Sequence, residues 1–183
     1  GQARTGMGKT LGFGVPLVDR VFDDADIAEL DGTPRALIIV PTRELAVQVG
    51  DDLQRAAAHT PVRVSTIYGG HPYDEQIKAL EDGADVVVGT PGRLIDLHDR
   101  GDLVLDQVAI LVLDEADEML DMGFLPDIEK LWGAVGEAQT MLFSATMPGA
   151  ILGLARQKMN KPVHIRAESG DDSATHSTTC LLY

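Results

Sequence analysis

Short runs rich in apolar residues recur along the chain, set between longer stretches that mix apolar and polar positions at helical spacing. The runs are Ala36-Leu37-Ile38-Ile39-Val40, Val62-Arg63-Val64-Ser65-Thr66-Ile67, Asp85-Val86-Val87-Val88, Val108-Ala109-Ile110-Leu111-Val112-Leu113, Thr140-Met141-Leu142-Phe143 and Val163-His164-Ile165. Each is short and rich in β-branched and aliphatic residues, which predicts a strand, and the continuous apolar character of Val108 to Leu113 predicts burial on both faces. The stretch from Glu44 to Ala58 repeats its apolar residues at helical spacing, and the one from Pro126 to Val135 opens on a proline, which suits the first turn of a helix. Strands alternating with helices predict an α/β fold with a doubly wound, mostly parallel sheet.

Two segments qualify that pattern. The helix expected after Lys9 carries Gly12, Gly14 and Pro16, and glycine costs about 1 kcal/mol relative to alanine in a helix interior, so a kinked or loose helix is expected. Beyond Arg166 the chain turns to Glu168-Ser169-Gly170-Asp171-Asp172-Ser173 and offers little apolar surface to bury. The expected division is a domain over 1–167 and an interdomain linker over 168–183. Phe124, Trp132, Phe143, Met119 and Met122 fall at helical or strand positions and are expected in packing rather than in a site.

Composition narrows the class. At 183 residues and 44% apolar, the chain can bury one real core. Neither a membrane-length apolar stretch nor a signal peptide is legible, so a cytoplasmic protein with no membrane partner is expected. Cys180 is the only cysteine, which excludes an internal disulfide, and the five histidines have no metal-ligand spacing. The 15 basic and 29 acidic residues give a net charge of −14, the wrong sign for a protein that coats nucleic acid by bulk electrostatics. Part of the excess lies in Asp23 to Gly32, which reads as a solvated loop.

Two clusters carry chemistry. Gly6-Met7-Gly8-Lys9-Thr10 has the form of a phosphate loop, in which glycine backbone amides and the amino end of a helix face phosphates. Lys9 would meet the β- and γ-phosphates, and the Thr10 hydroxyl would bind Mg²⁺. A strict loop pattern asks for glycine where Ala3 stands, and a glycine-containing turn that begins a helix is the alternative. Asp114-Glu115-Ala116-Asp117 follows the most apolar run, at a strand's carboxyl end where open α/β sheets hold ligands. Asp114 is the candidate for the metal, Glu115 for orienting the attacking water, and Asp117 for bonding neighbouring loops. Acids are also favoured at any helix start, here the helix expected from Ala116 to Leu120.

Taken together, the motifs resemble the DEAD-box RNA helicases of helicase superfamily 2. Asp114-Glu115-Ala116-Asp117 matches the signature, and Ala3-Arg4-Thr5-Gly6-Met7-Gly8-Lys9-Thr10 resembles motif I, in which that family carries alanine at the first position. Pro41-Thr42-Arg43-Glu44-Leu45-Ala46 resembles motif Ia, Gly69-Gly70 the paired-glycine motif, Thr90-Pro91-Gly92-Arg93 motif Ib and Ser144-Ala145-Thr146 motif III. The resemblance runs from the first residue to about Arg166 and implies the first RecA-like domain of such a helicase, with ATP and Mg²⁺ as cofactors. It implies nucleotide contacts from Ala3 to Thr10, hydrolysis by Asp114 and Glu115 with Lys9, and RNA-backbone contacts at Pro41, Thr42, Arg43, Gly69, Gly70, Thr90, Pro91, Gly92 and Arg93. Asp117, Ser144, Ala145 and Thr146 would couple the nucleotide to strand separation.

The partners implied are RNA and a second RecA-like domain. The adenine-recognition segment and the strand that precede motif I in that family are not in the sequence, so an unpaired sheet edge is expected. Alternatives are a noncatalytic nucleotide- or RNA-binding fragment and a DNA-directed member of the superfamily.

Overall fold

The computed structural model describes residues 7–23, 27, 29–167 and 178–182. The elements are α1 (Met7–Asp23), β1 (Ala36–Ile39), α2 (Arg43–Ala57), β2 (Val64–Ile67), α3 (Tyr73–Glu81), β3 (Val86–Gly89), α4 (Pro91–Asp99), β4 (Ile110–Leu113), α5 (Ala116–Asp121), α6 (Leu125–Val135), β5 (Gln139–Ser144), α7 (Gly149–Lys158), β6 (Val163–Ala167) and β7 (Thr178–Leu182). The sheet order is β2-β3-β1-β4-β5-β7-β6. Pairings from β2 across to β5 are all parallel, so the carboxyl ends of those strands line one rim.

The alternation of side chains along a strand sorts the core into two layers. Leu37, Ile39, Val87, Leu111, Leu113 and Leu142 face the helices α4 to α7, where Leu94, Met119, Leu131 and Leu154 are buried. Ala36, Ile38, Val40, Val86, Val88, Ile110 and Val112 face α1 and α2, where Phe13, Leu17, Val49 and Leu53 are buried. Strands β1, β3 and β4 are buried at every residue, which is why their sequences read as unbroken apolar runs. Each such Val, Leu or Ile contributes about 1.5–3 kcal/mol, which fixes where each strand ends and therefore what stands on the rim.

Helix α1 runs without interruption through Gly12, Gly14 and Pro16. A Cβ on Gly14 would stand 2.8 Å from Leu53 Cδ2, so the small residue lets α1 lie close against α2. Beside α1, Phe13, Pro16, Leu17, Met141 and Phe143 line an apolar groove of about 520 Å³ along β5. Trp132, Phe143 and Met119 are buried, as their spacing implies. Met122 is the exception at 49% exposed: it caps the six-residue helix α5 and falls outside the stripe that Met119 occupies.

The tail requires a correction. Residues 168–177 and 183 of the expected linker lie outside the described residues, but Thr178–Leu182 is strand β7, antiparallel to both β5 and β6. Strand β5 is therefore paired on both sides, by β4 and β7. A run of Thr-Thr-Cys-Leu-Leu is strand-prone, and the gap between β5 and β6 presents two rows of backbone groups that need partners. Its polar surroundings in the sequence hide that run.

Candidate active site and nucleic-acid interface

Residues on the rim fall into two sides, a lysine–acid cluster and a track beside it. On the first side the opening turn of α1 faces the end of β4. Lys9 Nζ lies 2.7 Å from Asp114 Oδ1 and 2.9 Å from Glu115 Oε1. The sequence places the lysine and the acids far apart, and the fold brings them into contact across the rim. Ala3, Arg4, Thr5 and Gly6 lie outside the described residues, and Met7 and Gly8 begin α1. Thr10, one residue beyond Lys9, is buried.

Asp114 is held in place by the strand: its backbone N–H donates to Ile39 O, and its Oδ1 accepts from Glu115 N at 3.0 Å. Its Oδ2 is buried and, among the described residues, has no hydrogen-bond partner. Burial pushes the Asp114 carboxyl above its ordinary value, an effect that Lys9 only partly offsets. Burial acts on Lys9 in the opposite sense, but two carboxylates outweigh it and hold the amine above its ordinary value. The two directions agree, because Lys9 has two acids while Asp114 has one amine and a like-charged neighbour. Glu115 stands in the left-handed region at φ 52 and ψ 50, a conformation that costs a residue with a side chain roughly 1–3 kcal/mol and clusters at functional sites.

Asp117 faces the end of β5. Its backbone N–H donates to Ser144 Oγ at 3.0 Å, and its Oδ2 accepts from Thr146 N at 3.0 Å and Thr146 Oγ1 at 2.8 Å. Burial acts to raise the Asp117 carboxyl, but these hydrogen bonds prevail and hold it below the ordinary value. Ser144 is buried and Ala145 half-buried between the two bonded residues. The Asp114 to Asp117 segment and Ser144-Ala145-Thr146 are thus joined through the side chains of Asp117, Ser144 and Thr146.

The track crosses the ends of β1, β2 and β3. Pro41 is buried after β1, and Thr42 caps α2 by accepting from Leu45 N at 3.2 Å, which starts the helix at Arg43. Arg43 is exposed, and its guanidinium carbon lies 5.1 Å from the centre of the Tyr68 ring. Gly69 and Gly70 are exposed in the turn that follows Tyr68, with Gly70 at φ 79, which any other residue adopts only with strain. Thr90 precedes α4, Pro91 is its first residue, Gly92 is exposed and Arg93 half-buried. Arg93 Nη1 donates to His71 O at 2.8 Å and to Gln76 Oε1 at 3.2 Å. A cleft of about 300 Å³ lined by Thr42, Glu44, Leu45, Gln48, Glu115 and Glu118 lies between the two sides.

Sequence reasoning left Tyr68 undecided and passed over Tyr73 and Gln76. Gln76 did leave a signal: it is a polar residue four positions before Leu80, on the buried stripe of α3. Tyr73 left none, because its partners come from α4.

Comparison with known proteins agrees with this geometry. The DEAD/DEAH box helicase family model matches residues 1–152. The DEAD-box ATP-dependent RNA helicase CshA of Streptococcus pneumoniae serotype 4 is 50% identical over 167 residues, covering 91% of this chain and 31% of that protein. CshA of Geobacillus kaustophilus is 48% identical over 170 residues, covering 92% of this chain and 35% of that protein. The chain therefore spans about a third of the length of these curated relatives. Among solved structures, a DEAD box protein from Methanococcus jannaschii aligns with a TM-score of 0.76 at 45% identity, covering 87% of this chain and 42% of that one. The yeast DEAD-box splicing factor Prp28 aligns with a TM-score of 0.78 at 36% identity, covering 87% and 39%. With its fold and its acidic strand end accounted for in this way, the chain belongs to the DEAD/DEAH box helicase family.

Proposed function

We propose that this chain is the nucleotide-binding RecA-like domain of an ATP-dependent RNA helicase, which couples RNA-stimulated ATP hydrolysis to local separation of RNA duplexes. The observation that carries the reading is the contact of Lys9 with both Asp114 and Glu115, a phosphate-seeking cation set against two acids suited to hydrolysis. The relatives it matches at about half identity are named ATP-dependent RNA helicases.

The residues at the rim fit a divalent cation. Asp114 Oδ2 is a buried carboxylate oxygen with no partner among the described residues, and Thr10 supplies a hydroxyl in the first turn of α1. Hard oxygen donors of this kind suit Mg²⁺, which Asp114 and Thr10 would hold and which would supply positive charge to offset that of the phosphates. Lys9 turns from the acids to those phosphates, and Glu115, released from Lys9, accepts a hydrogen bond from the attacking water. Asp117, Ser144 and Thr146 carry the state of the nucleotide from the end of β4 to the end of β5. Arg43 and Arg93, with Pro41, Thr42, Gly69, Gly70, Thr90, Pro91 and Gly92, track the RNA backbone and leave base identity unread.

The partners are RNA and a second RecA-like domain, in a cytoplasmic setting that suits both ATP and RNA. Among the described residues no helix is long and apolar enough to cross a membrane. Because the chain spans 31% of its S. pneumoniae relative, a second reading holds for these 183 residues alone: binding of nucleotide or RNA with little turnover. A cation supplied from elsewhere is worth about 10³–10⁵ in rate in phosphoryl transfer.

Phosphate release measured with RNA, with DNA and with neither separates these readings. Acceleration by RNA alone, once the chain is joined to a second domain, supports the helicase reading. Rates indifferent to nucleic acid refute it, and equal stimulation by DNA points to a DNA-directed ATPase. Multiple turnover by the 183-residue chain alone overturns the binding-only reading.

A further inference from the structure

Arg93 is held at one corner and on one face. Only Nη1 is bonded, to His71 O and Gln76 Oε1, and the guanidinium carbon lies 3.8 Å from the centre of the Tyr73 ring. The same ring lies 4.8 Å from the Arg100 guanidinium carbon, and its hydroxyl donates to Asp96 on α4. Among the described residues, Nε and Nη2 of Arg93 make no hydrogen bond or ion pair. A guanidinium fixed in this way keeps a two-donor edge whose planar fork matches a phosphate bidentately.

Gln76 explains how that edge is placed. It is 3% exposed, with its Nε2 donating to Tyr68 O at 2.9 Å and its Oε1 accepting from Arg93. One buried amide therefore ties the residue before Gly69-Gly70 to Arg93, and Tyr68 in turn lies beneath Arg43. Ordering a long cation costs side-chain entropy, and a residue that holds it in advance removes that cost from binding.

We propose that Gln76 is a positioning residue for RNA: it locks Arg93 to the Gly69-Gly70 turn, so that the free Nε–Nη2 edge and Arg43 stand ready for successive phosphates of one strand. This rests on the RNA-backbone reading of the track. The test is fluorescence anisotropy of a labelled oligouridylate with the 183-residue chain across a salt series. The proteins are wild type, Gln76→Met, Arg93→Ala and the double variant, each with its melting temperature measured.

Arg93→Ala is expected to weaken binding roughly tenfold and to remove about one from the salt slope. Gln76→Met, which keeps the side-chain volume, is expected to lose most of the same slope, and the double variant to bind no more weakly than Arg93→Ala alone. A lowered melting temperature with a wild-type slope, or losses that multiply in the double variant, overturns the inference and leaves the RNA reading standing. Wild-type binding that ignores both salt and Arg93→Ala sinks the RNA reading and this inference with it. A second readout needs no RNA: the Arg93 Nε–H order parameter by NMR is expected to fall in Gln76→Met, and an unchanged value overturns the positioning role.

Discussion

The two sides proposed for nucleotide and for RNA share one rim and are built on opposite plans. On the nucleotide side the charges are spent on each other: Lys9 bridges Asp114 and Glu115, with side-chain exposures of 17%, 1% and 16%. On the RNA side the cations rest on aromatic rings, Arg43 on Tyr68 and Arg93 on Tyr73, and among the described residues Arg93 bonds through Nη1 and leaves Nε and Nη2 open. A ligand at the first side has to replace interactions already made, so affinity there depends on what it brings, namely phosphate for Lys9 and a cation for the acids. A ligand at the second side meets groups already set, so affinity depends on charge count and salt. Closed charge suits a site that must not fire without its full complement, and open charge suits one that grips any sequence.

The largest effect expected is on hydrolysis. Glu115→Gln keeps the side chain's shape and removes its charge, so phosphate release should fall about 10²- to 10⁴-fold while nucleotide binding stays near wild type. Equal loss of both would move Glu115 out of its assigned role. The next effect separates the two sides by ionic strength. A backbone track making several phosphate contacts loses affinity steeply with salt, whereas the buried cluster is screened far less. Anisotropy with RNA and calorimetry with ADP, run over the same salt range, should diverge, and parallel slopes would erase the distinction.

A pH series tests the closed cluster itself. Lys9→Ala leaves Asp114 buried with no cation, so its carboxyl rises further. The folded variant then holds a proton that the unfolded chain has released above 3.8. Its stability is therefore expected to be greatest in acid and to fall as pH rises through the folded value. A shift of one pKa unit is about 1.4 kcal/mol, roughly 3–6 °C in melting temperature for a domain this size. A variant whose melting temperature does not depend on pH in that window would show that Asp114 does not need Lys9.

The smallest effect belongs to the hinge between motifs. Asp117 is held below 3.8, so its contribution is complete above that value and is lost as pH falls through the folded one. Ser144→Ala with Thr146→Ala should remove that acid-side loss, cost at most about 0.5–1.5 kcal/mol per hydrogen bond, and spare hydrolysis more than unwinding. Unwinding unchanged by the pair would leave these bonds purely structural.

The strands and the acid-bearing strand end were legible because burial on both faces demands unbroken Val, Ile and Leu, and that demand is written one residue at a time. What joins the strands was less legible. The order β2-β3-β1-β4-β5 depends on helices crossing the sheet, and β7 depends on a gap between β5 and β6 that the sequence does not display. The meeting of Lys9 with Asp114 and Glu115 could be inferred from their motifs, but the left-handed turn at Glu115 and the orphaned Asp114 Oδ2 needed coordinates. Gln76 and Tyr73 escaped for a different reason: each acts through Arg93, and a residue that works by holding another has no pattern of its own.

The measurement that bears most directly on the closed nucleotide side is calorimetric titration of ADP with and without Mg²⁺, on wild type and on Asp114→Asn. Wild type is expected to bind more tightly when Mg²⁺ is present, and Asp114→Asn to lose that dependence while still binding the nucleotide through Lys9. An Asp114→Asn protein whose Mg²⁺ dependence matches wild type would contradict the account.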